Sequence, residues 1–442
     1  MSGPTRSSKG TGLSAPRTNR CTSVLPTLYA FAVDQERKKH PHGLIVLIVV
    51  ASFGLTLWYA TSQFVATMGV DRIAEGYDAF RYDKFARENA QQSLVEILAS
   101  PDIGFFDQAG YPVLLSLLYG LTTPDPLVGC LCNWLLWLAA GFLLCPLAKP
   151  ESSLAAPLPF LALWLLYPEG IDWNGTTSKE PLVAFAVACA IRTCSSRAPR
   201  WVQILLVGAL ALLMLWVRSA VAPLIVLAFA ISFEFRRDSP GARWSKILGL
   251  ALAAVVALYV AGGAPENGDK TNNPLSTAGF SGTESLSSVD VSSNSLLLHM
   301  GSDNRVVDAL FFVPLRGLSH LFCPLYTSPF EFPLGGMLVW LSSGVCSLAV
   351  LVILLRFLGR QPWTCNRAML LGVLSLGLMA LGLTGIIHQR YRSIIVPALL
   401  PLGMRSFREE VAARGFAHII LIGTIFPLAV FVLYRIAQLF WN

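Results

Sequence analysis

The stretch GLIVLIVVASFGLTLWYATSQFVATM, residues 43–68, runs for 26 residues without Asp, Glu, Lys or Arg. A helix needs about 20 apolar residues to cross the hydrocarbon core of a bilayer, so this stretch predicts one crossing. Ten further apolar stretches follow, at 126–147, 154–170, 181–194, 202–217, 221–234, 246–263, 336–357, 369–387, 393–404 and 417–440. Because several of these stretches have only 12–16 residues, we expect about 10 to 12 transmembrane helices and an all-α, polytopic integral membrane protein.

The composition agrees with this interpretation. The 442-residue chain is 54% hydrophobic and only 13% charged, whereas a soluble domain carries about 25% charged residues. These values exclude a soluble globular enzyme, a disordered protein and a fibrous one. The net charge of +7 comes mainly from basic residues beside apolar stretches, which is typical of a membrane topology signal and excludes a nucleic-acid-binding protein.

The basic residues also predict the orientation. Residues 1–42, rich in Ser, Thr, Pro and Arg, are expected to be a disordered basic tail in the cytoplasm, followed by a membrane domain over 43–442. If the apolar stretches alternate from there, 21 of the 33 Lys and Arg residues fall on the cytoplasmic side, as the positive-inside rule requires. The C-terminus is then extracytoplasmic. Two large loops, 70–125 and 264–335, lie outside, and the short apolar stretch 111–122 is expected to be an interfacial helix.

The first outer loop contains the string DAFRYDKFA, from Asp78 to Ala86. On a helix Asp78, Tyr82 and Ala86 share one face, and Asp83 lies near it. A carboxylate there can act as a general base or bind a divalent metal ion, for which Asp78 is the candidate ligand. The alternative is a solvated loop whose acids pair with its own basic residues, Arg81, Lys84 and Arg87.

Lys179 and Glu180 stand just before Pro181, where the stretch 181–194 enters the membrane. Charges there are costly unless they are paired or face a wet cavity. We interpret Lys179 as a phosphate-binding residue that Glu180 orients. Ordinary snorkelling of Lys179 to the interface is the alternative.

Arg218 separates the stretches 202–217 and 221–234, which together are too long for one crossing. A turn is therefore expected at Arg218, on the outer face. An arginine there runs against the positive-inside rule, and its guanidinium can bind an anion with two hydrogen bonds.

The segment HQRYR predicts a second tight outer turn that retains two arginines. Basic residues kept on this side, near apolar surface, indicate an anionic partner such as a lipid headgroup or a lipid-linked phosphate. Together with Asp78, Lys179, Glu180 and Arg218, this turn assembles on one face groups suited to a phosphorylated, membrane-anchored substrate. The candidate substrate-binding residues of the turn are His388, Arg390, Tyr391 and Arg392.

In order and spacing, these motifs resemble polytopic membrane glycosyltransferases of the GT-C type, above all the bacterial ones that use polyprenyl-phosphate sugars. The resemblance covers roughly residues 43–405. The motifs that carry it are D-x-x-x-Y-x-x-x-A from Asp78, GYPVLL at 110–115, Asn133 within an apolar stretch, Lys179-Glu180-Pro181, Arg218 and RYRSIIVPALLPL at 390–402.

The resemblance implies a multi-helix domain in the bacterial cytoplasmic (inner) membrane with its active site on the outer face. Asp78 would be the base or a metal-linked carboxylate, and Lys179, Arg218, Arg390 and Arg392 would hold the donor phosphate. Many family members carry two adjacent acids where this chain has Asp78 alone, which weakens the metal assignment. Many also carry a soluble C-terminal domain that is not seen here, so the acceptor (glycan, lipid or protein) stays open.

Two other functions remain. The first is a polysaccharide polymerase or ligase that joins lipid-linked oligosaccharides with the same outer groups. The second is a polytopic transporter or flippase, which predicts charged residues along a pathway inside the membrane spans.

Overall fold

The computed structural model describes residues 41–67, 78–100, 103, 109–148, 157–196, 198–219, 221–235, 334–358, 370, 373–378 and 392–414. All regular secondary structure within these residues is helical, which confirms the all-α prediction. The chain forms two units, Met1–Leu44 and Ile45–Asn442. Apart from the first residues of its first helix, every helix named below lies in the second unit.

Twelve helices are assigned within the described residues. They are α1 Pro41–Thr67, α2 Asp78–Glu88, α3 Leu94–Ala99, α4 Gly110–Leu121, α5 Pro126–Leu144, α6 Pro157–Leu165, α7 Pro168–Asn174, α8 Glu180–Ser195, α9 Arg200–Val217, α10 Val221–Phe235, α11 Leu334–Leu358 and α12 Arg392–Arg414.

Three of these helices are long and apolar enough to cross a membrane: α1 over Gly43–Ser62, α5 over Pro126–Leu144 and α9 over Arg200–Val217. They coincide with three of the stretches expected from the sequence. Shorter apolar helices lie at Gly110–Leu121, Val221–Ala230 and Leu341–Arg356. The tail 1–42, apart from the first two residues of α1, and the stretches 246–263 and 417–440 lie outside the described residues, as does almost all of loop 264–335.

The apolar stretch 154–170 is not one helix. It divides at Leu166 and Tyr167 into α6 and α7 because Pro168 has no N–H to donate to the carbonyl of Trp164. That carbonyl accepts instead from Trp137 Nε1 at 2.9 Å, and Trp164 Nε1 donates back to Trp137 O at 2.8 Å. The two indole rings stack with centroids 4.2 Å apart, so the break is stabilised by packing against α5.

Helix α8 lies at the centre of the fold. It packs against α5, α9, α10 and α12. Four alanines on its buried surface allow neighbouring helices to approach closely, as small residues do in helix bundles within lipid. These alanines are Ala184, Ala186, Ala188 and Ala190. The N-terminus of α8 is Glu180, so the packing of α8 decides where this candidate residue lies.

The described part of segment 70–125 before α5 folds into α2, α3 and α4. Helix α4 confirms the helix expected at 111–122, and it packs against α2 and α9. A Cβ on Gly110 would lie 2.7 Å from the backbone of Trp216, so only glycine permits this approach of α4 to the end of α9. On α2, Tyr82 and Ala86 are both buried, which confirms the predicted shared face.

Candidate functional site

The predicted residues of α2, α8 and the α9–α10 turn meet around residues 175–179, which join α7 to α8. We call this group the loop cluster. It consists of Tyr82, Asp83, Tyr111, Tyr119, Asn133, Lys179, Glu180 and Arg218.

The first turn of α2 lies against the loop. Thr177 Oγ1 donates a hydrogen bond to the carbonyl of Ala79 at 2.6 Å. One turn further along α2, the ring of Tyr82 lies beneath Lys179, whose Nζ is 5.7 Å from the ring centroid. Asp78 begins α2 and is the neighbour of Ala79, so its backbone is placed at the loop. Its side chain lies outside the described residues.

Asn133 on α5 holds the shape of the loop. Its Nδ2 donates to the carbonyls of Thr176 and Ser178, each at 2.9 Å, and its Oδ1 accepts from Tyr111 Oη at 3.2 Å. The Tyr111 ring in turn meets the Tyr82 ring edge-on, with centroids 5.5 Å apart. In the sequence, Asn133 was singled out only by the family resemblance, because a single asparagine in an apolar stretch does not indicate which groups it contacts.

Asp83 is 3% exposed and firmly held. Its carboxylate accepts from Tyr119 Oη at 2.6 Å and pairs with Arg87 at 2.6 Å. Burial raises the pKa of Asp83 above its usual value, although both partners oppose this shift. Asp83 is therefore paired with an arginine of its own helix, as the alternative interpretation of this segment expected.

Glu180 and Arg218 form a buried ion pair with a 3.5 Å separation. Glu180 lies in the first turn of α8, where the helix dipole favours a carboxylate. Arg218 follows the last residue of α9, and α10 begins at Val221, so the predicted turn is confirmed. Charge-assisted hydrogen bonds are usually about 2.7–2.9 Å long, so this pair is held at a longer distance than a tight one.

Two candidate membrane helices contact each other near their midpoints. Ser52, halfway along Gly43–Ser62, accepts from Trp134 Nε1 at 3.2 Å, and Trp134 lies next to the midpoint of α5. Ser52 also donates to the carbonyl of Leu165 at 2.9 Å. The level of Ser52 therefore serves as a depth reference within the bundle.

The loop cluster is recessed below the ends of these two helices. Tyr59 donates to Asp172 at 2.6 Å, and a Cβ on Gly175 would touch the Tyr59 ring. Tyr59 lies eight residues before the end of α1 at Thr67, or about 12 Å along the helix axis, and Asn133 lies seven residues, or about 10 Å, from the start of α5. The loop thus lies roughly two helical turns inside the bundle.

A second polar group lies deeper, and we call it the core pair: Glu169 on α7 and Arg392 on α12. Arg392 Nη1 meets Glu169 Oε1 at 2.8 Å, and both side chains are fully buried. Tyr167 Oη donates to Glu169 Oε2 at 3.0 Å, Arg392 Nη2 donates to Ser343 Oγ at 2.6 Å, and the Glu169 N–H donates to Ser342 Oγ at 2.8 Å.

The core pair contains one residue that the sequence predicted elsewhere. Arg392 was expected to hold a donor phosphate on the outer face, and the structure places it with Glu169 inside the bundle. Glu169 was missed, since its only signal was a lone carboxylate in an apolar stretch. His388, Arg390 and Tyr391 lie outside the described residues. Among the described side chains, no three His, Cys, Asp or Glu residues converge as metal ligands would.

The chain matches no protein-family model, no curated protein and no solved structure.

Proposed function

We propose that the protein is a membrane glycosyltransferase that transfers a sugar from a polyprenyl-phosphate-linked donor to an acceptor on the outer face of the bacterial cytoplasmic membrane. The observation that carries this proposal is the loop cluster. Polar and charged groups from α2, the 175–179 loop, α8 and the α9–α10 turn meet around this loop. A site inside the bundle suits a substrate whose lipid stays in the bilayer.

The proposed topology keeps about 10 to 12 spans, a cytoplasmic N-terminus and an extracytoplasmic C-terminus. The three candidate spans, and the contact of α1 with α5 near their midpoints, support a shared position of these helices in the membrane. In this topology α5 enters from the outside and α1 leaves toward it, so the loop cluster lies toward the outer ends of both helices.

The reaction is a displacement at the anomeric carbon. The acceptor hydroxyl oxygen forms a bond to this carbon while the bond from the carbon to the phosphate oxygen breaks. The hydroxyl proton passes to a carboxylate, and polyprenyl phosphate leaves with one more negative charge than it carried as a diester. Catalysis therefore needs a base near the acceptor and cations near the phosphate.

The loop cluster contains two of the cations, Lys179 and Arg218, and we assign them to stabilise the leaving phosphate together with Arg390, which lies outside the described residues. We assign Asp78, at the start of α2 beside the cluster, as the base. Glu180 pairs with Arg218 and orients it. Asp83 fixes α2 against α4 through Tyr119.

The test is label release from donors in membrane vesicles. Wild-type, Asp78→Asn and Glu88→Gln proteins are given radiolabelled polyprenyl-phosphate monosaccharides and polyprenyl-diphosphate oligosaccharides with a membrane extract as the acceptor source. Loss of a general base lowers rates by about 100-fold or more, so Asp78→Asn is expected to abolish release. Glu88 is an exposed acid of the same helix, and its variant is expected to match the wild type.

The donor panel separates the two enzymatic candidates. Release from a monosaccharide lipid supports the transferase and identifies its donor. Release only from an oligosaccharide lipid would replace it with the polymerase or ligase. Full activity of Asp78→Asn would overturn the assignment of the base.

One observation favours the transporter as a second candidate. Glu169 lies between Leu165, at the level of the midpoint of α1, and Asp172, so the core pair is a charged pair well inside the bundle. Such residues often mark a pathway. Movement of a fluorescent polyprenyl-phosphate lipid between the leaflets of proteoliposomes, lost in Glu169→Gln, would support transport. Its absence together with donor turnover would exclude transport of that lipid.

A further inference from the structure

Asn174, the last residue of α7, is 1% exposed, and neither Nδ2 nor Oδ1 of its side chain has a hydrogen-bond partner among the described residues. The neighbouring Trp173 is 2% exposed, and its Nε1 is likewise unpartnered within that part of the chain. Buried amide groups are costly when they are left unpaired, and native proteins rarely retain them without a reason.

Helix periodicity places Asn174 beside the loop cluster. Gly170, Trp173 and Asn174 are spaced i, i+3 and i+4 and share one face of α7. This face meets α5, because a Cβ on Gly170 would touch the Trp137 ring and the Trp173 ring packs edge-on to it at 5.7 Å. Asn133, one turn before Trp137 on α5, binds the loop that begins immediately after Asn174.

The unpaired atoms have a definite chemical character. A carboxamide offers two N–H donors and an oxygen acceptor, and an indole offers one N–H donor, all without charge. A phosphate would be bound by cations, and a polyprenyl chain would leave these atoms unpaired. A group bearing several neighbouring hydroxyls can pair with all of them.

We therefore propose that Asn174 and Trp173 form a hydroxyl-recognition subsite for the sugar of the donor, an inference that rests on the proposed function. Lys179 and Arg218 then hold the phosphate, and Asn174 reads the sugar attached to it. The sugar reaches Asn174 past the half-exposed residues Thr176, Ser178 and Lys179 of the 175–179 loop.

The test compares two lipids that differ only by the sugar. Purified full-length protein is titrated with polyprenyl phosphate bearing glucose, mannose or arabinose, and with polyprenyl phosphate alone. Asn174→Leu is expected to weaken binding of the preferred sugar-bearing lipid about 10- to 100-fold, as the loss of two hydrogen bonds does. Binding of the sugar-free lipid should stay unchanged. Trp173→Phe, which replaces the indole by a smaller aromatic ring and removes the N–H, should show a smaller loss with the same selectivity.

Thermal stability distinguishes recognition from a role in folding. Asn174→Leu removes an unpaired amide, so its melting temperature should equal or exceed that of the wild type. The matched control is Asn89→Leu, because Asn89 is also buried but donates to the Phe85 carbonyl at 2.8 Å. This control should melt at a lower temperature and still discriminate between the two lipids as the wild type does.

Three results would overturn the proposal. Unchanged binding of the sugar-bearing lipid by Asn174→Leu would refute the subsite alone, and so would an equal loss for both lipids. A wild-type protein that binds neither lipid would refute the proposed function together with the subsite.

Discussion

The loop cluster and the core pair both join a glutamate to an arginine, but they are built differently. Glu169 and Arg392 meet at 2.8 Å with no exposed surface, and a tyrosine and two serines occupy further polar positions around them. Glu180 and Arg218 are separated by 3.5 Å at the ends of two helices, beside a half-exposed lysine. The first arrangement is closed around its charges, and the second borders the half-exposed Lys179.

This difference indicates different roles. A buried ion pair adds little net stability, since desolvation offsets the attraction, but the loss of one partner leaves an uncompensated charge. The core pair is therefore suited to fixing the register of α7, α11 and α12. The pair in the loop cluster lies at helix termini, beside Lys179, which is half-exposed.

The largest expected effect comes from breaking the core pair. Arg392→Met leaves Glu169 buried without its cation and is expected to lower the free energy of unfolding by about 3–5 kcal/mol. Thermal and denaturant unfolding in detergent measure this change. The double variant Glu169→Gln/Arg392→Met should recover most of the loss. A single variant as stable as the wild type would contradict the role of the core pair.

The matched substitution in the loop cluster should have a smaller effect on stability. Arg218→Met removes the longer charged contact with Glu180 and is expected to lower the free energy of unfolding by about 1–3 kcal/mol. Its main effect should fall on donor binding, measured as weaker binding of polyprenyl phosphate. An Arg218→Met protein that is destabilised as strongly as Arg392→Met and still binds the lipid as the wild type does would contradict the different roles of the loop cluster and the core pair.

The smallest expected effect concerns Asp83 and depends on pH. Burial raises the pKa of Asp83 in the folded protein above its usual value of 3.8. The folded state therefore holds this proton more tightly than the unfolded state. This group alone makes stability fall as pH rises from about 3.8 through the raised pKa. Arg87 on α2 and Tyr119 on α4 oppose the shift, whereas Asp125, just before α5, adds to it.

Tyr119→Phe tests this arrangement. It removes the hydrogen bond to the ionised carboxylate, so the pKa of Asp83 should rise further. Destabilisation by about 1–2 kcal/mol is expected above that pKa, and less below it, where the carboxyl is protonated. The difference in the free energy of unfolding between the wild type and Tyr119→Phe is measured from pH 4 to pH 8. In an Asp83→Asn background this difference should no longer depend on pH. A pH-independent difference with Asp83 present would argue against the coupling.

Local patterns predicted much of the fold. The helix from Asp78 with Tyr82 and Ala86 buried, the helix over 111–122 and the turn at Arg218 all follow from periodicity and length, which depend on neighbouring residues. The division of 154–170 was missed, although Pro168 was a signal for it. The sequence predicted that Tyr82, Lys179, Glu180 and Arg218 lie on one face of the membrane. It did not predict the contacts of Tyr82 with Lys179 and of Glu180 with Arg218.

Composition and hydropathy were sufficient to predict an all-helical chain with apolar helices of membrane-spanning length, because burial of apolar surface acts on each segment separately. Tertiary structure alone decided the partners. Arg392 pairs with Glu169, 223 positions away, Asn133 holds the loop before α8, and Asn174 is buried with its amide unpaired among the described residues. Hydrogen bonds and ion pairs are short-range and directional, so they depend on which helices pack together rather than on the order of residues along any one of them.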